Sequence, residues 1–115
     1  MSERLKKVNK LIKEALGKII EEDFSYNKSF ITISDVRTSP DLRVTQVFLS
    51  IFPYEGKDEV LKYLESNKKR LQEQFGKSIV LKYTPKIEIV FDESYEYESK
   101  IEDLFKKIER GKIND

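Results

Sequence analysis

The sequence predicts an α+β fold, with helices packed on a three-stranded sheet. Three observations carry the prediction. Apolar residues recur at three- and four-residue spacing in the first twenty residues, again between residues 57 and 76, and once more near the C-terminus. Two-residue alternation fills three stretches between those helical patterns. Turn formers punctuate the joins. At 115 residues the chain is expected to be one domain over 1–110, with a short polar tail at 111–115.

The first helix spans 3–21. Leu5, Val8, Ile12, Ala15, Leu16 and Ile19 make its apolar stripe, and Lys6, Lys10, Lys13 and Glu14 lie opposite. Ser2 is placed to cap it, and Asn27 marks the turn that follows. Residues 30–38 are a first strand. Ile31 and Ile33 alternate with Thr32 and Ser34, and then Val36 rather than Asp35 continues the apolar set, so a bulge is expected near Ser34-Asp35. Ser39-Pro40-Asp41-Leu42 is a turn, and residues 43–52 form a second strand with Val47, Leu49 and Ile51 inward. So short a connection makes the two strands antiparallel neighbours.

A broken helix comes next. Val60, Leu61, Leu64, Leu71 and Phe75 share one face, but a straight helix would also turn Asn67 or Lys68 toward the core. Asn is a poor helix former that tolerates the left-handed conformation, so Ser66-Asn67 is expected to be a kink between two short helices. Ile87, Ile89 and Phe91 then alternate with Glu88, Val90 and Asp92 as a third strand. Pro85 makes that strand an edge or starts it at Lys86. A last helix runs from Ser94 to about Arg110, with Tyr97, Ile101, Leu104, Phe105 and Ile108 on one face. The full order is α-β-β-α-(kink)-α-β-α. Helix, break, helix, strand is the order found in nucleic-acid-binding KH domains, where the break faces the backbone of the bound strand.

Composition narrows the chemistry. The chain has no Cys and no His, which removes disulfides, thiol nucleophiles, Ser-His and Cys-His catalysis and ordinary zinc sites. Its start carries no apolar signal core, and no apolar run is long enough to span a bilayer, so a cytoplasmic protein without membrane association is expected. The 22 basic and 21 acidic residues leave a net charge of +1, too little to hold nucleic acid by bulk charge. The distribution is uneven. Residues 62–86 carry seven cations against Glu65 and Glu73, whereas residues 87–103 carry seven carboxylates against Lys100 alone.

The leading candidate contact is the kink: Ser66, Asn67, Lys68, Lys69 and Arg70. A helix beginning just after a break points free N–H groups outward, and cations on a first turn oppose the helix dipole, which hints at another use. Arg37, Arg43, Lys77, Lys82 and Lys86 are candidates to extend a phosphate-binding face, although any one of them alone is more simply a solubilising surface charge. Lys6, Lys7 and Lys10 form a second basic patch for which ordinary surface charge is at least as good a reading. Phe48, facing outward, is placed either to stack a base or to lie under a helix. Carboxylate pairs such as Asp35 with Asp41, or Asp92 with Glu96, sit in turns and caps rather than in a pocket, so no catalytic group, metal site, cofactor or small-molecule substrate is assigned.

The run Arg4-Leu5-Lys6-Lys7-Val8-Asn9-Lys10-Leu11-Ile12, the turn Thr38-Ser39-Pro40-Asp41-Leu42 and the strand Gln46-Val47-Phe48-Leu49-Ser50 occur in that order. Arg70-Leu71, Tyr83-Thr84-Pro85-Lys86-Ile87 and Val90-Phe91-Asp92-Glu93-Ser94 follow at matching spacing. Together these segments, over roughly Arg4 to Ile108, resemble the ribosome-binding factor A family. The resemblance implies a type II KH-like domain. It also implies a non-catalytic assembly factor that binds small-subunit ribosomal RNA on free small subunits or their precursors, supports late processing and matters most in the cold. At the family's Ala-x-Gly element this sequence has Glu65-Ser66-Asn67. A monomer is expected. The rival reading is a ferredoxin-like protein-interaction module that meets a basic partner through its acidic 87–103 region.

Overall fold

The computed structural model describes residues 3–81 and 83–93. Helix α1 spans Glu3–Asp23, strand β1 Phe30–Thr38 and strand β2 Val44–Phe52. A 3-10 turn at Tyr54–Gly56 leads into α2, Lys57–Ser66; α3, Lys68–Ser78, and β3, Lys86–Phe91, follow. The predicted order is present through the third strand. The expected last helix, Ser2 as a cap, and Lys82 lie outside the described residues.

The sheet order is β1-β2-β3. Strands β1 and β2 pair antiparallel from Phe30↔Phe52 to Thr38↔Thr45, and the register slips between Ile33 and Asp35. The bulge is thus at Ser34, where the apolar phase changes. Strand β3 lies parallel to β2, from Val44↔Lys86 to Leu49↔Phe91. It is an edge strand that begins right after Pro85, so both expectations for that proline hold together.

The two sheet faces differ sharply. Ile33, Val36, Val47, Leu49, Ile51 and Ile87 are buried beneath the helices, together with Ile12, Leu16, Phe24, Val60, Leu64, Leu71 and Phe75. Complete burial of a side chain such as Leu64 or Leu71 contributes about 1.5–3 kcal/mol. Thr38 and Thr45 also face this core, and their hydroxyls satisfy one another at 2.9 Å. Arg37, Gln46, Lys86 and Glu88 stand exposed on the opposite face. Ser50, on the same face as Gln46 and Phe48, is nevertheless buried, opposite Thr32 in the register and next to the Phe30–Phe52 pair.

Two residues other than glycine take positive φ: Asn27 at 51° and Leu42 at 62°. Asn27 is the turn former the sequence marks. Leu42 is held in its hairpin by a 2.8 Å bond from its N–H to the Ser39 carbonyl. Asp41 braces the same turn, accepting from the Ser39 hydroxyl at 2.6 Å and the Arg43 N–H at 3.1 Å. Those two bonds, with help from the Arg43 charge, hold the Asp41 carboxyl below its ordinary value of 3.8.

Candidate nucleic-acid interface

The helix breaks at Asn67, as the interrupted stripe predicts, but not through a left-handed residue. Asn67 has φ −109° and ψ 14°, in the sparsely populated bridge region open to any L-residue. The position therefore has no need of a glycine. Its carboxamide Nδ2 donates to the Tyr63 carbonyl at 2.8 Å, and its own N–H reaches the Tyr63 and Leu64 carbonyls at 3.1 and 3.2 Å. Asn67 thus closes the end of α2, whose last carbonyls would otherwise lack partners. Tyr63 is steadied in turn by the Tyr26 ring, 5.1 Å away between centroids.

The beginning of α3 is left open by the same arrangement. No side chain caps it, and its first backbone bond within the helix runs from the Leu71 N–H to the Asn67 carbonyl. The N–H groups of Lys68, Lys69 and Arg70 precede that bond, so they lie at a helix end suited to an anion. Lys68 is half-buried, and Lys69 and Ser66 are exposed. Arg70 is committed elsewhere: its guanidinium lies 4.4 Å from the Phe24 ring centroid and donates to the Asp23 carbonyl at 3.3 Å. It ties α3 to the end of α1, and only its remaining donors face outward.

Helix α3 runs back along β3. A Cβ on Gly76 would sit 3.7 Å from the Thr84 hydroxyl. Gln72, one turn earlier, donates to the Pro85 carbonyl at 2.9 Å and accepts from the Ile87 N–H at 2.9 Å. Lys68 is one turn earlier again, on the same helix face. The kink thus stands beside the part of the β3 edge that lies beyond Ile87. Lys86 and Asp92 donate their N–H groups to the Arg43 and Leu49 carbonyls, so the odd residues Ile89 and Phe91 turn theirs to the free edge. Lys57 stands 4.5 Å from the Tyr54 ring centroid and 4.9 Å from that of Phe91, near the far end of this strip.

The remaining candidates form a separate group. Arg43 and Lys86 are adjacent, joined by the bond from the Lys86 N–H to the Arg43 carbonyl at 2.8 Å. Lys77, exposed in the last turn of α3, lies toward the same end. Lys68 and Lys77 are nine residues apart on one helix, which amounts to about 14 Å along its axis. Arg37 pairs with Asp35 at 3.2 Å and covers the Phe48 ring at 5.0 Å, so Phe48 lies under a cation and not under a helix. Lys6 stands 4.0 Å from Glu3; Lys6, Lys7 and Lys10 are exposed on α1, away from the kink. Of the acidic 87–103 region only 87–93 is described; there Glu88 is exposed and Asp92 accepts from the Ser34 hydroxyl at 2.5 Å. Gln72, which aligns α3 with β3, carried no sequence signal, because it sits in a run of polar helix residues.

Fold and interface define a KH-like α+β domain whose uncapped, cationic helix start adjoins an open strand edge. The model of the ribosome-binding factor A family matches residues 4–105, and the chain belongs to that family. The ribosome-binding factor A of Opitutus terrae is 39% identical over 111 residues, covering 96% of this chain and 91% of that one. The Clostridium novyi factor is 33% identical, covering 97% of this chain and 95% of that one. The crystal structure of ribosome-binding factor A from Thermus thermophilus superposes with a TM-score of 0.64 at 24% identity, covering 76% of this chain and 93% of that one. A Thermus thermophilus homology model fitted into the cryo-EM map of a 30S–RbfA complex superposes with a TM-score of 0.58 at 26% identity, covering 69% and 85%.

Proposed function

We propose that this protein is a non-catalytic, cytoplasmic assembly factor that binds small-subunit ribosomal RNA on free or immature small subunits and supports late RNA maturation, most of all in the cold. One observation carries the reading. The α3 start is left uncapped because Asn67 bonds backward to Tyr63, and Lys68 and Lys69 stand on that open turn. Open N–H groups and two cations suit a phosphate. The odd-numbered edge of β3 beside it offers backbone donors and acceptors to base edges. Ser66, Asn67 and the outward donors of Arg70 complete the contact, and Arg43, Lys77, Lys82 and Lys86 extend it toward the other end of α3. Arg37, partly neutralised by Asp35, contributes least. Membership of the ribosome-binding factor A family supports this assignment, as does the 30S complex of the Thermus thermophilus relative. The protein acts as a monomer, stabilising one arrangement of an RNA that has alternatives.

Sucrose-gradient sedimentation with immature and mature small subunits, with crosslinks mapped onto the RNA, tests the reading. Lys68→Glu with Lys69→Glu should cut co-sedimentation while leaving the thermal melt within about 0.5 kcal/mol of wild type, as for surface substitutions. The salt slope of binding should fall by roughly 0.7–0.9 per lost phosphate contact. Arg70 is left out of the pair because its reversal would also break the packing on Phe24. Association that survives the double reversal would remove the kink from the interface.

A further inference from the structure

The edge of the sheet opposite β3 carries a second surface. A groove of about 880 Å3 lies between α1 and β1. Its floor includes Ile31, Ile33 and Phe24, and its wall includes Lys10, Lys13, Lys18 and Gly17 from α1. Among the described residues strand β1 is the outer strand on this side and pairs with β2 alone. In an antiparallel edge strand, alternate residues turn both the N–H and the C=O outward. The run Phe30-Ile31-Thr32-Ile33, ahead of the bulge, holds no charge and no proline, and Phe30 is 69% exposed. Proteins usually blunt such an edge. The opposite edge of this same sheet is blunted at its start, by Pro85 and by the Gln72 carboxamide on Ile87, and is open only beyond Ile87.

We propose that this groove takes an extended, acidic segment of a partner protein, which adds as a fourth strand beside residues 30–33. Three features select that occupant. Unpaired backbone groups in a row match another backbone in extended form, and four residues of edge span about 13 Å. The floor is apolar at Ile31 and Ile33, which suits every second side chain of such a strand. The three wall lysines make no ion pair or hydrogen bond among the described residues, and they outnumber the two carboxylates on the same wall, Glu14 and Glu21. The wall is also notched: a Cβ on Gly17 would meet nothing within 4 Å. The proposal stands apart from the RNA reading at Lys68 and Lys69, neither of which lines the groove; Arg70 meets it only through Phe24.

The test uses the full chain and a synthetic peptide that alternates Val with Glu. Fluorescence anisotropy should show saturable binding, and amide exchange at residues 30–33 should slow on addition of the peptide. Replacing Glu by Lys in the peptide, or N-methylating its edge-facing amides, should weaken binding by about tenfold or more. Gly17→Phe places a ring in the notch and should abolish binding while the far-UV melt is kept. Lys68→Glu with Lys69→Glu should bind the peptide as wild type does. No saturable binding, binding indifferent to N-methylation or to Gly17→Phe, or binding lost in the kink variant would each overturn the proposal. So would displacement of the peptide by a single-stranded RNA oligonucleotide, or sedimentation showing that two copies of the chain occupy the groove by pairing through β1.

Discussion

The two edges of the sheet are built to opposite rules. At β3 a side chain from α3 takes the first edge-facing amide: Gln72 acts as one residue of an absent strand, giving and receiving a hydrogen bond as a peptide unit would. At β1 helix α1 packs on the strand's core face and leaves a groove beside its first residues, 30–33. The contrast shows that an edge is closed by what packs beside it. Both strands are apolar and β-branched, and neither carries a charged residue on its outermost core-facing positions. Helix α3 reaches β3 through Gln72, whose carboxamide spans from the Pro85 carbonyl to the Ile87 N–H. Helix α1 packs on β1 through Ile12, Leu16, Ile19 and Ile20, and just past its end Phe24 is covered by Arg70; the groove is left along residues 30–33.

That contrast can be broken from either side. The largest effect is expected from Phe24→Ala. Phe24 is fully buried under the Arg70 guanidinium, and its truncation should cost about 3–5 kcal/mol in urea unfolding. Amide exchange should then accelerate at residues 30–33 before it does at 86–91; the reverse order would show that α1 is not the anchored wall described. Gln72→Ala comes next. It strips a partner from the Ile87 N–H and the Pro85 carbonyl, and should lower stability by about 1–3 kcal/mol. Exchange at Ile87 should rise with it, and an unchanged Ile87 amide would mean that Gln72 does not close the edge.

Gly17→Ala works in the other direction. The position is helical and the added methyl meets nothing, so the substitution should stabilise the chain by about 0.5–1 kcal/mol, read as a higher Tm. A lower Tm would show that the notch is packed in solution. The smallest effect concerns the hairpin that joins the open edge to the sheet centre. Because folding lowers the Asp41 pKa, its contribution is fully present above the ordinary value of 3.8 and is lost as the pH falls through the lowered value. Asp41→Asn should flatten that part of the stability profile in urea titrations below pH 3.8, and a profile that keeps its shape would assign the acid sensitivity to other groups.

Local irregularities were legible in the sequence. The slip from Ser34 to Val36 marked the bulge, and the hole between Leu64 and Leu71 marked the break. The reason for the break was legible only in part. Asn was the right residue, but its side chain, and not a left-handed backbone, makes the joint. The three cations after it read as equivalent in the sequence. In the fold Lys68 and Lys69 keep the open turn, whereas Arg70 is drawn onto Phe24, forty-six positions away in the chain. Arg37 and Phe48 were separate candidates until the strand register placed one over the other.

The order of elements, the core stripe, the kink and the family were determined by the sequence alone, because each depends on spacing within a few turns of chain or on motifs in succession. The parallel placing of β3, the partner of each cation and the closure of the β3 edge at Ile87 by Gln72 were decided only in three dimensions. Those features depend on which distant groups come within hydrogen-bonding or stacking reach, and no local period encodes that distance.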